Sequence, residues 1–147
     1  MRARLHGIEI EGAHRLLSGA WTIDGTAKLD ATRATNADTG EPLPRVAPLR
    51  AAIGLNLKNG PWGASIDVDG VARQRRVPAL DIATAGYGLV NLSLTRRFAL
   101  GGTDALWFLK LGNLTDKLAY SATTIATVRD LAPLPGRSLK TGVRVSF

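Results

Sequence analysis

The sequence predicts an all-β fold: an antiparallel up-and-down meander of about seven long strands, patterned as a partial transmembrane β-barrel. Three observations predict it. Apolar and polar residues alternate with a period of two along most of the chain. The connections between alternating runs are short and long in turn, and the tryptophans gather at one end of the runs.

The first run spans about Arg4 to Gly12, with His6, Ile8 and Ile10 set against Gly7, Glu9 and Glu11. The second is the clearest. Trp21, Ile23, Gly25, Ala27, Leu29 and Ala31 share one face, and Thr22, Asp24, Thr26, Lys28, Asp30 and Thr32 the other. It exceeds an ordinary strand of about five or six residues and suits a tilted membrane-crossing strand of roughly 9–11. Leu49, Ala51, Ile53, Leu55 and Leu57 form the apolar side of a third run. Asn59-Gly60-Pro61 is a hairpin signal, after which Trp62, Ala64, Ile66 and Val68 alternate with Gly63, Ser65, Asp67 and Asp69. Val90, Leu92 and Leu94, then Trp107, Leu109 and Leu111, mark two more strands. The last holds Leu139, Thr141, Val143, Val145 and Phe147 on one side. No helix is predicted.

Short connections fall at Ala13 to Gly19, Asn59-Gly60-Pro61 and Gly101-Gly102-Thr103, and long ones at Thr35 to Ala47, Gln74 to Gly86 and Asn113 to Pro135. Antiparallel neighbours joined this way place every short turn on one rim and every long loop on the other, as outer-membrane barrels do. Trp21, Trp62 and Trp107 each open a strand just after a short turn, while Phe98 and Phe147 close strands that approach the same rim. These five are the predicted interfacial aromatic girdle. Tyr87 belongs to the opposite rim.

The net charge of +7 invites a nucleic-acid reading. Against it, the basic residues form no tract beyond Arg73-Gln74-Arg75-Arg76, and only 5 % of residues are aromatic, so no nucleic-acid partner is expected. Arg33, Arg45, Arg50, Arg73, Arg75, Arg76, Arg129, Arg137 and Lys140 lie at or beyond the long-loop rim. There Arg73, Arg75 and Arg76 are candidate contacts for lipopolysaccharide phosphates, beside the plainer reading of a solvated basic loop. With no cysteine and only His6 and His14 as histidines, neither a metal site nor a cofactor is expected. Asp67 and Asp69, like Asp24 and Asp30, suit a water-filled lumen better than acid–base chemistry. No nucleophile has a neighbouring base, so no enzyme is expected.

Several segments carry a resemblance to a known family. They are Pro42-Leu43-Pro44-Arg45-Val46-Ala47-Pro48, Thr84-Ala85-Gly86-Tyr87-Gly88-Leu89-Val90-Asn91, Gly112-Asn113-Leu114-Thr115-Asp116-Lys117 and Ala132-Pro133-Leu134-Pro135-Gly136-Arg137, followed by the terminal strand. In that order, from Thr39 onward, they resemble the last strands of TonB-dependent outer-membrane receptors. The resemblance implies a C-terminal barrel segment over residues 1–147 without a plug domain, in a receptor for energy-coupled uptake of siderophores, metals or cobalamin. It implies lipid, lipopolysaccharide and the barrel-assembly machinery as partners, Phe147 as the assembly signal, and TonB contact only through an N-terminal part missing here. It places the chain in the bacterial outer membrane, although the first residues do not read as a signal peptide. Seven strands are about a third of the family's barrel, so a truncated receptor is expected. The alternative is a soluble all-β binding module with a basic face, whose alternating apolar residues would form its core.

Overall fold

The computed structural model describes residues 2–146. Seven strands follow in order: β1 (Ala3–Leu17), β2 (Thr22–Asn36), β3 (Arg50–Asn59), β4 (Trp62–Val71), β5 (Tyr87–Leu100), β6 (Thr103–Gly112) and β7 (Ser138–Ser146). Each pairs antiparallel with the next, giving one sheet in the order β1 to β7 with both edges open. One helical turn, α1 (Ala126–Arg129), lies in the connection before β7. This is the predicted meander, in the form of an unclosed part of a barrel.

The register sorts the chain onto two faces. Ile10, Leu29, Ala51 and Gly70 lie in one row across β1 to β4, while Asp67 aligns with Gly54 and Asn91 one residue off a row of apolar partners. Ile8, Ile23, Ile53, Ile66, Leu92, Leu109 and Leu139 therefore share one face; Glu9, Asp24, Asn56, Asp67, Asn91, Lys110 and Lys140 share the other. The polar face is not uniform, since Leu106 and Phe108 lie on it too. The Phe108 ring covers Gly142, where a β-carbon would come within 2.9 Å of it.

Neither face is buried. Among the described residues the only buried hydrophobic side chains are alanines, Ala34, Ala105, Ala119 and Ala122. Ile8 is 57 %, Ile53 63 % and Leu139 66 % exposed. A soluble module would fold this apolar set into a core. Here it forms a continuous open surface, far beyond the scattered apolar residues of an ordinary soluble protein. Ten-residue strands such as β3, β4 and β6 are about 34 Å long, and tilted by roughly 40° they rise about 26 Å, the height of an outer-membrane apolar band.

Several strands are longer than their patterns predict, β1 and β2 among them. β1 continues to Leu17, absorbing most of the expected Ala13 to Gly19 connection, with a register shift between Arg15 and Leu17. The β1–β2 hairpin also overshoots β3. Pairing to β3 stops at Asp30, while β1–β2 pairing runs on to Ala3 and Asn36, about 20 Å further. The first tight turn after that hairpin uses Gly60 and Pro61 as its two loop residues, one step on from the Asn-Gly expected. Gly60 has φ of 51°, which glycine adopts without strain, and proline fixes the next residue.

Candidate functional site

The polar face carries rungs between neighbouring strands. Arg15 pairs with Asp24, Lys28 with Glu11 at 2.7 Å, and Arg50 with Asp30. Further across, Ser65 Oγ and Ser93 Oγ share a hydrogen bond of 2.8 Å, and Asn91 Nδ2 donates to Asp69 Oδ2 at 3.1 Å. Exposed pairs of this kind contribute little stability individually. Their sum is a wall of both charge signs, a surface suited to water and not to lipid tails.

The long connections are ordered by specific bonds, and some of these lie in the family-like segments. Asn113 is 4 % exposed and has φ of 48°, a conformation asparagine tolerates better than most residues. Its Nδ2 donates to the carbonyls of Lys117 and Pro135, both at 3.0 Å, and its Oδ1 accepts from the Lys117 N–H at 2.9 Å. Its own N–H donates to Asn91 Oδ1 at 3.0 Å. Asp116 accepts from the Arg137 N–H at 2.9 Å and faces the Arg137 guanidinium at 3.6 Å. The Asn-Leu-Thr-Asp and Pro-Gly-Arg segments are thus two halves of one clamp at the base of the 113–137 loop. Gly86 has a different reason: a β-carbon there would sit 2.7 Å from the Val71 carbonyl oxygen.

Arg129 is the residue that the sequence reading misplaced. Expected at a solvated rim, it is 5 % exposed and bound to the 72–86 loop. Its guanidinium donates to Asp81 Oδ1 at 3.0 Å, to the Ile82 carbonyl at 2.9 Å and to the Thr124 carbonyl at 3.1 Å. The 72–86 segment in turn meets the 37–49 loop, with Gln74 Nε2 donating to the Val46 carbonyl at 2.9 Å. Arg76 donates to Thr35 Oγ1 at 2.9 Å. At the start of the chain, the Arg2 N–H and guanidinium both donate to Asp38, holding its carboxyl below the usual carboxylate range. Nothing in the order of residues signals these loop-to-loop bonds.

The predicted girdle residues fall as follows. Trp62, the first residue of β4, aligns with Arg96, which aligns with Trp107, so the two tryptophans share a row and a face with an arginine between them. Arg96 stacks over Trp62 with its guanidinium carbon 5.1 Å from the ring centre, a contact not anticipated from sequence. Trp107 does not open its strand. It is the fifth residue of β6 and reaches the Trp62 row because the β5–β6 hairpin extends beyond that row. Its indole N–H donates to Thr141 Oγ1 at 3.1 Å. Phe98 lies two residues further toward the turn, and Trp21 immediately precedes β2. Phe147 lies outside the described residues. Tyr87 is at the opposite rim as expected, but it shares the polar face with Arg50 through Val71.

Of the arginines assigned to that rim, Arg50, Arg129 and Arg137 are held in ion pairs with Asp30, Asp81 and Asp116. Arg73, Arg75 and Arg76 line a cleft of about 380 Å³ together with Arg33. Among the described residues, no group of three or more His, Cys, Asp and Glu side chains is placed to hold a metal.

A family model described as "TonB dependent receptor-like, beta-barrel" matches residues 2–115. It begins well before Thr39, where the family-like segments start, and stops short of the last strand. The solved structure described as "Copper transporter OprC" is similar to this chain at 26 % identity and a TM-score of 0.83, covering 99 % of this chain and 24 % of its own. The chain therefore spans about a quarter of that protein's length. No curated relative matches. The strand order, the two-faced sheet and the match over β1 to β6 agree, and the chain belongs to the TonB-dependent receptor-like β-barrel family.

Proposed function

We propose that this chain is the C-terminal sector of the barrel wall in an outer-membrane receptor for TonB-dependent uptake of a scarce nutrient, a siderophore complex, a metal or cobalamin. The single observation that carries the reading is the sorting of seven consecutive strands into an open apolar face and a charged, hydrogen-bonded one. In this reading the apolar face meets lipid and the polar face lines the lumen. The long loops lie outside the cell, and the short turns, with Trp21, Trp62, Phe98, Trp107 and Phe147, lie at the periplasmic interface. Phe147 is the proposed signal to the barrel-assembly machinery. Contact with TonB belongs to a plug region outside this stretch. The chain's part is to form wall and loops, with no catalysis of its own. Copper is the cargo named for the matched structure, and it is one member of the substrate class proposed here.

The test uses the absence of native cysteine. Neighbouring positions Leu92 and Ser93 lie on opposite faces. In outer membranes containing the intact protein, Ser93→Cys should react with a water-soluble thiol reagent and Leu92→Cys only with a probe confined to the bilayer. Equal labelling of the two, or the reverse pattern, overturns the assignment of faces.

A further inference from the structure

We propose that the cleft between the 82–87 and 117–130 segments binds a small zwitterion, with an ammonium and a carboxylate on one molecule, as in a free amino acid or a short peptide. The proposal rests on the receptor reading above and deepens it. It names a ligand chemistry that the barrel wall alone does not.

The first observation is an unfinished set of hydrogen bonds. Arg129 lines this cleft, which has a volume of about 220 Å³, and is 5 % exposed. Its Nη1 and Nη2 hold Ile82, Asp81 and Thr124, which accounts for its part in tying the loops. Its Nε–H is buried and has no partner, and among the described residues no other buried side-chain nitrogen or oxygen is left so. A buried donor without an acceptor is costly, so the set is complete only when an acceptor arrives from outside the chain.

The second observation is charge. Lys117 and Asp130 line the cleft, one of each sign. Both are exposed, and among the described residues neither takes part in an ion pair, with the other or elsewhere. Two opposite charges that share a cleft without meeting suit a molecule that carries both signs in the reverse order. Its carboxylate goes toward Lys117 and the Arg129 Nε–H, and its ammonium toward Asp130. A plain anion would leave Asp130 opposed, and a plain cation would leave Lys117 opposed. Tyr87, Tyr120 and Thr84 add hydroxyls and two ring surfaces to the lining.

Size and rigidity narrow the ligand. The cleft is smaller than the roughly 300–1,000 Å³ of drug-sized sites, which restricts it to something near a single amino acid. Both walls are fixed before anything binds. Thr84 is bridged to Gln74 by backbone hydrogen bonds of 3.0 Å in both directions. On the other side, Asn113 holds both the N–H and the carbonyl of Lys117, and the Ala119 carbonyl accepts from the Leu134 N–H at 2.8 Å. Little ordering remains to oppose binding. Tyr87 lies on the polar face, which places the cleft at the loop end of the lumen wall.

Isothermal titration calorimetry of the intact protein in detergent micelles tests this with four probes. They are L-phenylalanine, the dipeptide glycyl-phenylalanine, N-acetyl-L-phenylalanine, which lacks the ammonium, and L-phenylalaninamide, which lacks the carboxylate. The amino acid or the dipeptide should bind at least about tenfold more tightly than either blocked form, and whichever is tighter names the source. Lys117→Gln and Asp130→Asn, whose side chains hold no loop bond, should each weaken binding by about tenfold. Lys58→Gln at the other rim should leave it unchanged. Blocked forms binding as well as the zwitterions overturn the proposal, and so does undiminished binding in both cleft variants. Binding absent for every probe up to about 10 mM also overturns it, and leaves water as the partner of the Arg129 Nε–H. A silent titration beside the expected labelling at positions 92 and 93 removes this site and leaves the receptor reading standing.

Discussion

Asn113 shows how much one side chain settles. All of its polar atoms have partners, and it occupies a backbone conformation with φ of 48°. Replacement by Ala removes the amide and strands the Lys117 and Pro135 carbonyls and the Lys117 N–H, each costing about 1 kcal/mol or more where water cannot reach. Asn113→Ala should lower the unfolding free energy of the refolded protein by about 2–4 kcal/mol, measured by urea titration in micelles. Asn113→Asp should be at least as damaging, because a carboxylate would face the Lys117 and Pro135 carbonyls. A loss under about 0.5 kcal/mol for both would mean the clamp is dispensable. The motif containing Asn113 is visible in the sequence, but its role is not. A hydrogen bond to Pro135, 22 residues away, leaves no periodic trace.

At the scale of the element, alternation predicted the strands well and their lengths less well. β2, β3 and β4 were legible because bulky apolar residues repeat on one face and polar ones on the other. The second half of β1 was not, since Gly12, Ala13 and His14 interrupt the contrast without interrupting the pairing to β2. Alternation reports which face a residue takes and says nothing of stagger, which is why Trp107 was expected at the start of a strand. The one-turn helix α1 is too short to have a period at all. Its Arg129 makes a prediction of its own. Arg129 and Asp81 are 6 % and 9 % exposed at the side chain, so removing either leaves a buried charge. Arg129→Met should destabilise the folded loops by about 3–5 kcal/mol, whereas Arg129→Met with Asp81→Leu should recover much of the loss. Hydrogen exchange across 72–86 and 113–137 reads both; faster exchange in the double variant than in the single would contradict a paired role.

For the whole molecule, strand direction sets a parity condition. β1 and β7 both run from the long-loop rim to the short-turn rim, because six antiparallel pairings separate them. Closing this sheet on itself, or onto a second copy, would bring parallel edges together. Antiparallel closure needs an odd number of further strands, and lipid demands closure because unpaired backbone groups there cost several kcal/mol each. A fusion supplying an odd number of family strands ahead of β1 should give a protease-resistant, heat-modifiable barrel, and one supplying an even number should not. Equal resistance from both would show that the edges are covered some other way. The sequence already contained this condition in its seven alternating runs. What it lacked was the register that confirms each neighbour as antiparallel.

The bonds among the long loops have a mechanical consequence. Val46 is tied to Gln74, Thr35 to Arg76, and Asp81 and Ile82 to Arg129, so each long connection is braced to the next. Three flexible lids would breathe independently, each on its own timescale. This roof is jointed in series, and a displacement at one end is carried to the other through a few polar hinges. Whatever approaches these loops therefore meets a single stiff awning over this part of the wall, and must move it as a piece or pass beside it.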